Sequence, residues 1–185
     1  MKNKILLSIS FILFCYFNSF SQKGRDFILK LDSISESAVG REFHDFKFVS
    51  ITGDTTSVND LLGKITIVNF WFENCPPCIV ELEYLKKLYN KYKDNPNFLF
   101  LSFTIDDLEI ARKAVIKYNI PYIVFPISRE DANEMNFRMG FPTNIILNRE
   151  RKIIFFKSGG SLDKIRAEEL ILEIDKIVAK NITNK

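Results

Sequence analysis

Two cysteines separated by two prolines, Cys75-Pro-Pro-Cys78, stand between two different hydrophobic patterns. Ahead of them, residues 65–72 (ITIVNFWF) are apolar and rich in β-forming residues, as in a central strand that is buried on both faces. Beyond them, apolar side chains recur at helical spacing, at Leu82, Leu85, Leu88 and Tyr92. The sequence therefore predicts a strand, a tight junction that holds both thiols, and a helix.

The first 21 residues have the pattern of a secretory signal peptide. Lys2 and Lys4 precede the apolar stretch 5–17, and Ser21 is a small residue before a predicted cleavage at Gln22. The apolar stretch has 13 residues, whereas a membrane-spanning helix takes about 20. Cleavage is therefore favoured over an uncleaved membrane anchor, and we expect an exported, periplasmic protein.

The charge balance is nearly neutral once the signal peptide is removed. The full chain has 26 Lys+Arg and 23 Asp+Glu, and two of the lysines, Lys2 and Lys4, lie in the signal peptide. A near-neutral mature chain gives no electrostatic reason to expect nucleic acid or a membrane surface as a partner. Cys15 lies in the apolar stretch, so the mature chain keeps Cys75 and Cys78 as its only thiols, in an oxidising compartment.

Four chemistries use two cysteines at this spacing: zinc binding, haem attachment, a structural crosslink and thiol–disulfide exchange. Structural zinc needs four Cys or His ligands, and the mature chain offers Cys75, Cys78 and His44. A c-type haem site needs histidine directly after the second cysteine, where Ile79 stands. A bridge over two intervening residues closes a very small loop and removes little chain entropy. Thiol–disulfide exchange is the chemistry that remains.

The rest of the pattern predicts an α/β sheet covered by helices on both faces. We read residues 22–38 as an N-terminal extension and residues 39–185 as one domain. Within the domain, strands are predicted over 65–72, 97–106, 122–125, 143–148 and 152–157. Helices are predicted from the Cys75 junction onwards and over 107–119, 129–139 and 161–180, the last with Ser161 as its N-cap.

Three segments together resemble a known family. They are VNFWFENCPPCIVE (68–81), MGFPTNIILN (139–148) and the lead-in that begins VGREFHDFKF (39–48). With them, the chain from Val39 to its C-terminus resembles a thioredoxin-fold protein of the exported TlpA/ResA-like branch of thiol–disulfide oxidoreductases. The resemblance implies a thioredoxin-like α/β fold, with a central mixed sheet and helices on both faces.

The position of the pair gives the two thiols different roles. Cys75 falls at the loop–helix junction, where unpaired N–H groups and the helix dipole stabilise a thiolate, so we expect it to be the exposed nucleophile of low pKa. Cys78 lies one turn inside the helix and is expected to be more buried and to resolve the mixed disulfide. Pro76 and Pro77 stiffen the junction and, lacking N–H groups, donate nothing to the Cys75 sulfur.

The resemblance implies further site residues. Thioredoxins carry a buried aspartate where this chain has Asn69, which cannot take up a proton, and in the TlpA/ResA-like branch Glu81 would serve instead. The alternative for Glu81 is an ordinary glutamate on the helix surface. Pro142, which we expect to follow a cis peptide bond, would position the substrate together with Phe141 and Trp71.

The resemblance also implies an enzyme: a thiol–disulfide oxidoreductase that acts on protein thiols and disulfides, without cofactor or metal. We expect it to act as a reductant, and oxidation of substrate thiols is the alternative direction. An upstream membrane or periplasmic electron donor would then supply it. One alternative is a peroxiredoxin-type peroxidase, which needs Thr or Ser three residues before its reactive cysteine, where Phe72 stands. The other is a non-catalytic thioredoxin-fold binding module, against which the two cysteines and the Pro142 segment argue.

Overall fold

The structure, a computed structural model, describes residues 29–183. The chain divides into two compact units after Glu36, and in the first of them the described residues belong to helix α1, which spans 29–38. The predicted signal peptide and the first part of the predicted extension lie outside the described residues. In the described part of the chain, every helix is too short or too polar to cross a membrane.

The second unit contains a small sheet and a large one. Strands β1 (Lys47–Val49) and β2 (Thr55–Ser57) form an antiparallel pair. The large sheet has the strand order β5-β4-β3-β6-β7. Its strands are β3 (Ile65–Trp71), β4 (Phe98–Thr104), β5 (Ile123–Pro126), β6 (Thr143–Leu147) and β7 (Ile153–Ser158). Strand β3 lies at the centre, parallel to β4 and antiparallel to β6, so the predicted mixed sheet is confirmed.

Helices connect the strands as the alternating pattern predicts. They are a 3-10 helix (Val58–Leu61), α2 (Pro76–Tyr92), α3 (Leu108–Tyr118), α4 (Arg129–Met135) and α5 (Lys164–Ile182). Helix α2 connects β3 to β4 and helix α3 connects β4 to β5, and both strand pairs are parallel. Since parallel neighbours need a crossover, these helices are the connections that the sheet requires.

The two faces of β3 contribute to two separate hydrophobic clusters. Ile65, Ile67 and Trp71 pack in a cluster with buried residues of α2, α3 and α5. The alternate residues Val68 and Phe70 pack in a second cluster with residues of α4 and the 3-10 helix. Every residue of β3 is buried, and the predicted covering of the sheet by helices on both faces is confirmed.

Two predicted helix boundaries are wrong. Helix α5 begins at Lys164, and its N-cap is Asp163, whose Oδ1 accepts the N–H of Ile165 at 2.9 Å. Ser161 instead accepts the N–H of Asp163 outside the helix, because a carboxylate nearer the helix start supplies the stronger cap. Helix α4 ends at Met135 rather than 139, since the next residues include two left-handed ones, Phe137 and Arg138, with φ of 57° and 59°.

Candidate active site

The two cysteines lie at the start of α2 and form a disulfide. Cys75 is the N-cap residue, and Pro76 and Pro77 occupy the first two helical positions, where the fixed φ of proline suits a helix start. The Sγ atoms of Cys75 and Cys78 are 1.99 Å apart and their Cα atoms 5.3 Å apart. The carbonyl of Cys75 accepts the N–H of Ile79 at 3.1 Å, which closes the first helical turn.

Both cysteines are buried in this oxidised form. Cys75 is 4% exposed and Cys78 1%. The exposure predicted for Cys75 is therefore wrong for the disulfide state, although Cys78 is the more buried of the two, as predicted. The reason is the local packing, because the half-buried rings of Phe72 and Phe141 lie against the same hydrophobic cluster as the two cysteines.

A loop with a cis peptide bond lies beside this junction. The Phe141–Pro142 bond is cis, as predicted from the sequence. The ring of Phe141 packs edge-on against that of Phe72, with ring centroids 5.4 Å apart, and the carbonyl of Phe72 accepts the N–H of Cys75 at 3.2 Å. The carbonyl of Pro142 accepts the N–H of Gly159 at 2.8 Å, which fixes the loop to the end of β7.

Trp71 lies in the core rather than at the surface of the site. It is the last residue of β3 and has no exposed surface. Trp71 therefore offers no surface for direct contact with a substrate, and its predicted substrate-positioning role stays a prediction. The alternation along β3 explains its position, since Trp71 follows Ile65 and Ile67 on the face that α2 covers.

Glu81 is a buried carboxyl group one turn beyond Cys78 on α2. Its side chain is 1% exposed, so the alternative of an ordinary surface glutamate is wrong. Oε2 accepts a 2.9 Å hydrogen bond from Nδ2 of Asn144, and Oε1 has no partner within residues 29–183. Burial raises the pKa of Glu81 to about 7, and the hydrogen bond from Asn144 opposes that rise. The group therefore changes its protonation state near neutral pH.

A chain of polar side chains extends from Glu81 across three strands. Nδ2 of Asn69 donates to Oδ1 of Asn144 at 2.9 Å, and Oγ of Ser102 donates to Oδ1 of Asn69 at 3.4 Å. The strand register places them together, because Asn69 of β3 is paired with Asn144 of β6 and with Ser102 of β4. All three are buried. We call the four residues Ser102, Asn69, Asn144 and Glu81 the polar chain.

Neither Asn144 nor Ser102 is predicted from the sequence as a site residue. The sequence does carry one indication of their role, because both are polar residues in largely apolar strands. Asn144 lies in TNIILN and Ser102 in NFLFLSFT. A polar residue in a strand that is buried on both faces needs a hydrogen-bond partner. The partner itself cannot be read from the local pattern, because it depends on the register between strands.

Gly160 brings the cis-proline loop and the buried carboxyl group together. A Cβ at this position would lie 2.7 Å from Cγ of Pro142 and 3.0 Å from Oε1 of Glu81, so a side chain does not fit without movement. Beside Gly160, Glu81 lines an open cleft of 370 Å³. The charged residues of this cleft are Lys157, Arg166, Glu169 and Glu173.

Other polar groups lie outside this arrangement. Glu73, two residues before Cys75, donates its N–H to Asp106 at 2.7 Å and binds Lys117 through Oε1 at 2.8 Å. His44 is exposed and binds Glu134 at 3.0 Å. Across residues 29–183, no three His, Cys, Asp or Glu side chains are grouped so that they could hold a metal ion.

A family profile and curated relatives each match most of the chain. The profile of the Redoxin family matches residues 38–171. The thiol-disulfide oxidoreductase ResA of Bacillus thuringiensis subsp. konkukian is 28% identical over 140 residues, 74% of this chain and 78% of that protein. The thioredoxin-like protein YneN of Bacillus subtilis is 29% identical over 133 residues, 70% of this chain and 76% of that protein.

Solved structures show the same similarity. The thioredoxin domain of a thiol-disulfide oxidoreductase from Bacteroides vulgatus superposes with a TM-score of 0.63 at 27% identity. The match covers 76% of this chain and 98% of that one. A thiol:disulfide interchange protein from a Bacteroides species matches with the same TM-score of 0.63, also at 27% identity, over 77% of this chain and 91% of that one.

Glu81→Gln is expected to stabilise the fold relative to the parent at pH 8 but not at pH 4. The pKa of Glu81 is about 7 in the fold against 4.5 for an ordinary glutamate, so the folded carboxyl keeps a proton that the unfolded chain has released. The parent therefore loses up to about 3 kcal/mol of stability as the pH rises from about 4.5 through about 7. Glutamine does not titrate and avoids this loss.

Urea unfolding of both proteins at pH 4, 6 and 8 measures the difference. Glu83→Gln is the matched control, because Glu83 lies on the exposed side of the same helix. A free energy of unfolding that varies with pH in the same way for the parent and Glu81→Gln would show that Glu81 is not a buried titrating group.

Proposed function

Because the chain belongs to the Redoxin family, we propose that it is an exported thiol–disulfide oxidoreductase that acts on protein substrates through Cys75 and Cys78. The observation that carries the proposal is the Cys75–Cys78 disulfide at a helix start, beside a cis proline and a buried carboxyl group. A disulfide that spans two residues stabilises a fold little, so a redox role explains the pair better than a structural one.

Cys75 is the nucleophile of the proposed reaction. In the reduced protein its thiolate lies at the N-terminus of α2, where the helix dipole favours a negative charge. The Cys75 sulfur attacks a substrate disulfide and forms a mixed disulfide, and the electron pair of the broken bond leaves on the released substrate sulfur. Cys78 then attacks the Cys75 sulfur, which restores the internal disulfide and releases the second substrate thiolate.

Glu81 carries the proton of Cys78 in this proposal. Cys78 is 1% exposed, and burial disfavours its thiolate and slows its attack. Glu81 lies three residues further along α2, on the same helical face. With a pKa of about 7 it accepts a proton and returns it near neutral pH, which is the property that a general acid–base group needs.

Phe141 and Pro142 form the substrate-binding edge in this proposal. An extended substrate segment would pair with the backbone at Phe141, as peptides do when they add to a sheet edge. Pro142 is buried and Phe141 is half-buried against Phe72, so the rings of these two phenylalanines form the apolar surface beside the disulfide. Phe72 also offers no hydroxyl group to polarise a peroxide, which favours disulfide exchange over a peroxidase.

The prolines support the reductant direction. Pro76 and Pro77 remove two of the N–H groups that a helix start offers to an anion, so the reduced, thiolate form gains less stabilisation. A pair whose reduced form is little stabilised is reducing, and we expect a potential nearer to the about −270 mV of thioredoxin than to the about −120 mV of DsbA. An upstream membrane or periplasmic donor of electrons would regenerate the dithiol.

Cys78→Ser is expected to accumulate a mixed disulfide between Cys75 and a substrate, and Cys75→Ser is not. Without Cys78 the first step proceeds and the second cannot, whereas without Cys75 the nucleophile is absent. Insulin is a suitable test disulfide, with non-reducing electrophoresis and mass spectrometry as the measurement. Trapping by Cys75→Ser alone would reverse the assigned roles of the two cysteines. A parent protein that reduces no insulin would favour the alternative of a non-catalytic binding module.

Pro77→Ala is expected to raise the reduction potential of the pair by about 30 mV. The substitution restores an N–H at the second helical position, which is a position that bonds the N-cap side chain. The extra donor stabilises the Cys75 thiolate and makes the pair more oxidising. Equilibration in glutathione buffers measures the potential. Pro76→Ala restores an N–H at the first position and is the control; an equal shift in both variants would contradict this explanation.

Glu81→Gln is expected to slow exchange about tenfold to a hundredfold at pH 7, at the low end of general acid–base effects. Glutamine accepts the hydrogen bond from Asn144 but takes no proton, so the fold is kept and the proton transfer is lost. The measurement is the single-turnover reduction of a test disulfide between pH 5.5 and 8.5. A parent-like rate over this whole range would leave Glu81 without a part in the reaction.

A further inference from the structure

The two oxygens of the Glu81 carboxyl group have different surroundings. Oε2 accepts the hydrogen bond from Asn144, and Oε1 is buried without a hydrogen-bond partner in the described part of the chain. Oε1 is the carboxyl oxygen on the side of Gly160, 3.0 Å from where a Cβ of that residue would lie, and both residues line the open cleft. One oxygen is thus held in place and the other is available for a proton.

We propose that Asn144 is a positioning residue for Glu81: it holds Oε2, keeps the carboxyl group able to ionise, and leaves Oε1 to take the proton of Cys78. This inference rests on the proposed function. Asn144 does not touch the reacting sulfur atoms in this proposal and acts through Glu81 alone.

The remaining members of the polar chain set the direction of the Asn144 amide. An asparagine side chain can present either its NH2 group or its oxygen to a neighbour. Here Oδ1 of Asn144 accepts from Asn69 at 2.9 Å, so its NH2 group is turned to Glu81. Ser102 in turn donates to Oδ1 of Asn69 at 3.4 Å, and the donors of the polar chain all point towards Glu81.

This direction decides which form of Glu81 is stabilised. A donor that faces a carboxyl oxygen favours the ionised form, whereas burial favours the neutral form. With both present, burial raises the pKa of Glu81 to about 7 and no further. The ionised Glu81 then takes the proton from the Cys78 thiol at Oε1 while the Cys78 sulfur bonds to Cys75. The bond from Cys75 to the substrate sulfur breaks, and its electron pair leaves on that sulfur.

Few other titratable groups face Glu81. On its own helix these are the thiols of Cys75 and Cys78 in the reduced protein. Tyr122 is buried, and burial and the charge of Glu81 both raise its pKa, so it stays neutral in the working range. The charged groups of the cleft are exposed, and they are Lys157, Arg166, Glu169 and Glu173. None of these is salt-bridged to Glu81 among the described residues, so Asn144 is the group that opposes the effect of burial.

Asn144→Leu tests the proposal, because leucine has a similar size and no donor. We expect the acid limb of the rate–pH profile to move up by about one pH unit, the size of effect expected for a lost hydrogen bond to a charged group. Single-turnover reduction of a test disulfide would then be about fivefold slower than the parent at pH 7 and close to it at pH 9. Carboxyl 13C NMR of Glu81 should show the same upward move in the absence of any substrate.

Two comparisons separate positioning from a general loss of structure. In the Glu81→Gln background, Asn144→Leu should cause no further slowing and no further change with pH. Thr66→Val removes a buried hydroxyl from the same sheet, on the face away from Glu81, and should leave the pH profile unchanged. Should Asn144→Leu fail to fold, Asn69→Leu removes the bond that orients Asn144 and should move the limb in the same direction.

The proposal is overturned if the pKa of the Glu81 carboxyl group in Asn144→Leu is the same as in the parent. It is also overturned if the variant is equally slow at every pH or slows the Glu81→Gln protein as much as the parent. If the parent protein showed no exchange activity, the proposed function would be refuted rather than the role of Asn144. The NMR titration would still decide whether Asn144 controls Glu81, so the two failures are distinguishable.

Discussion

The hydrogen bond from Asn144 to Glu81 allows a carboxyl group to titrate inside an apolar core. Burial at 1% exposure disfavours the charged form, and without any donor the group would be mostly neutral at pH 7. A close positive charge would have the opposite effect and keep it ionised. One neutral donor lies between these limits and gives a pKa of about 7. The central strands and the cis-proline loop are arranged around this group, and Gly160 provides the space that its free oxygen occupies.

The start of α2 combines two opposing effects on the sulfur atoms. The helix end offers a favourable field to a thiolate at Cys75, while the two prolines withhold the N–H groups that would bind it. The same junction is covered by Phe72 and Phe141, so the oxidised pair has little contact with water. In the proposed reaction, electrostatics at the junction would govern the balance between dithiol and disulfide, and the phenylalanine rings would govern which molecules approach it.

Much of this architecture is predictable from the sequence, because local patterns determine it. The apolar run of β3, the periodic face of α2 and the position of the cysteines between them are visible in consecutive residues. The pairing of Asn69 with Asn144 depends on which strands lie side by side, which no local pattern contains. The start of α5 was mispredicted for a different reason, since Ser161 and Asp163 are both good N-caps and lie two positions apart.

The polar chain is assembled from distant parts of the sequence. Its bonds join residues 33, 75 and 63 positions apart, and contacts of such span form slowly during folding because long loops must close first. The two thiols, in contrast, belong to one strand–helix segment and come together locally. A newly made chain therefore has its two thiols close together before it has the polar chain beside them. In the proposed reaction, full reactivity would appear only when the sheet is complete, which would limit crosslinking between molecules that have not finished folding.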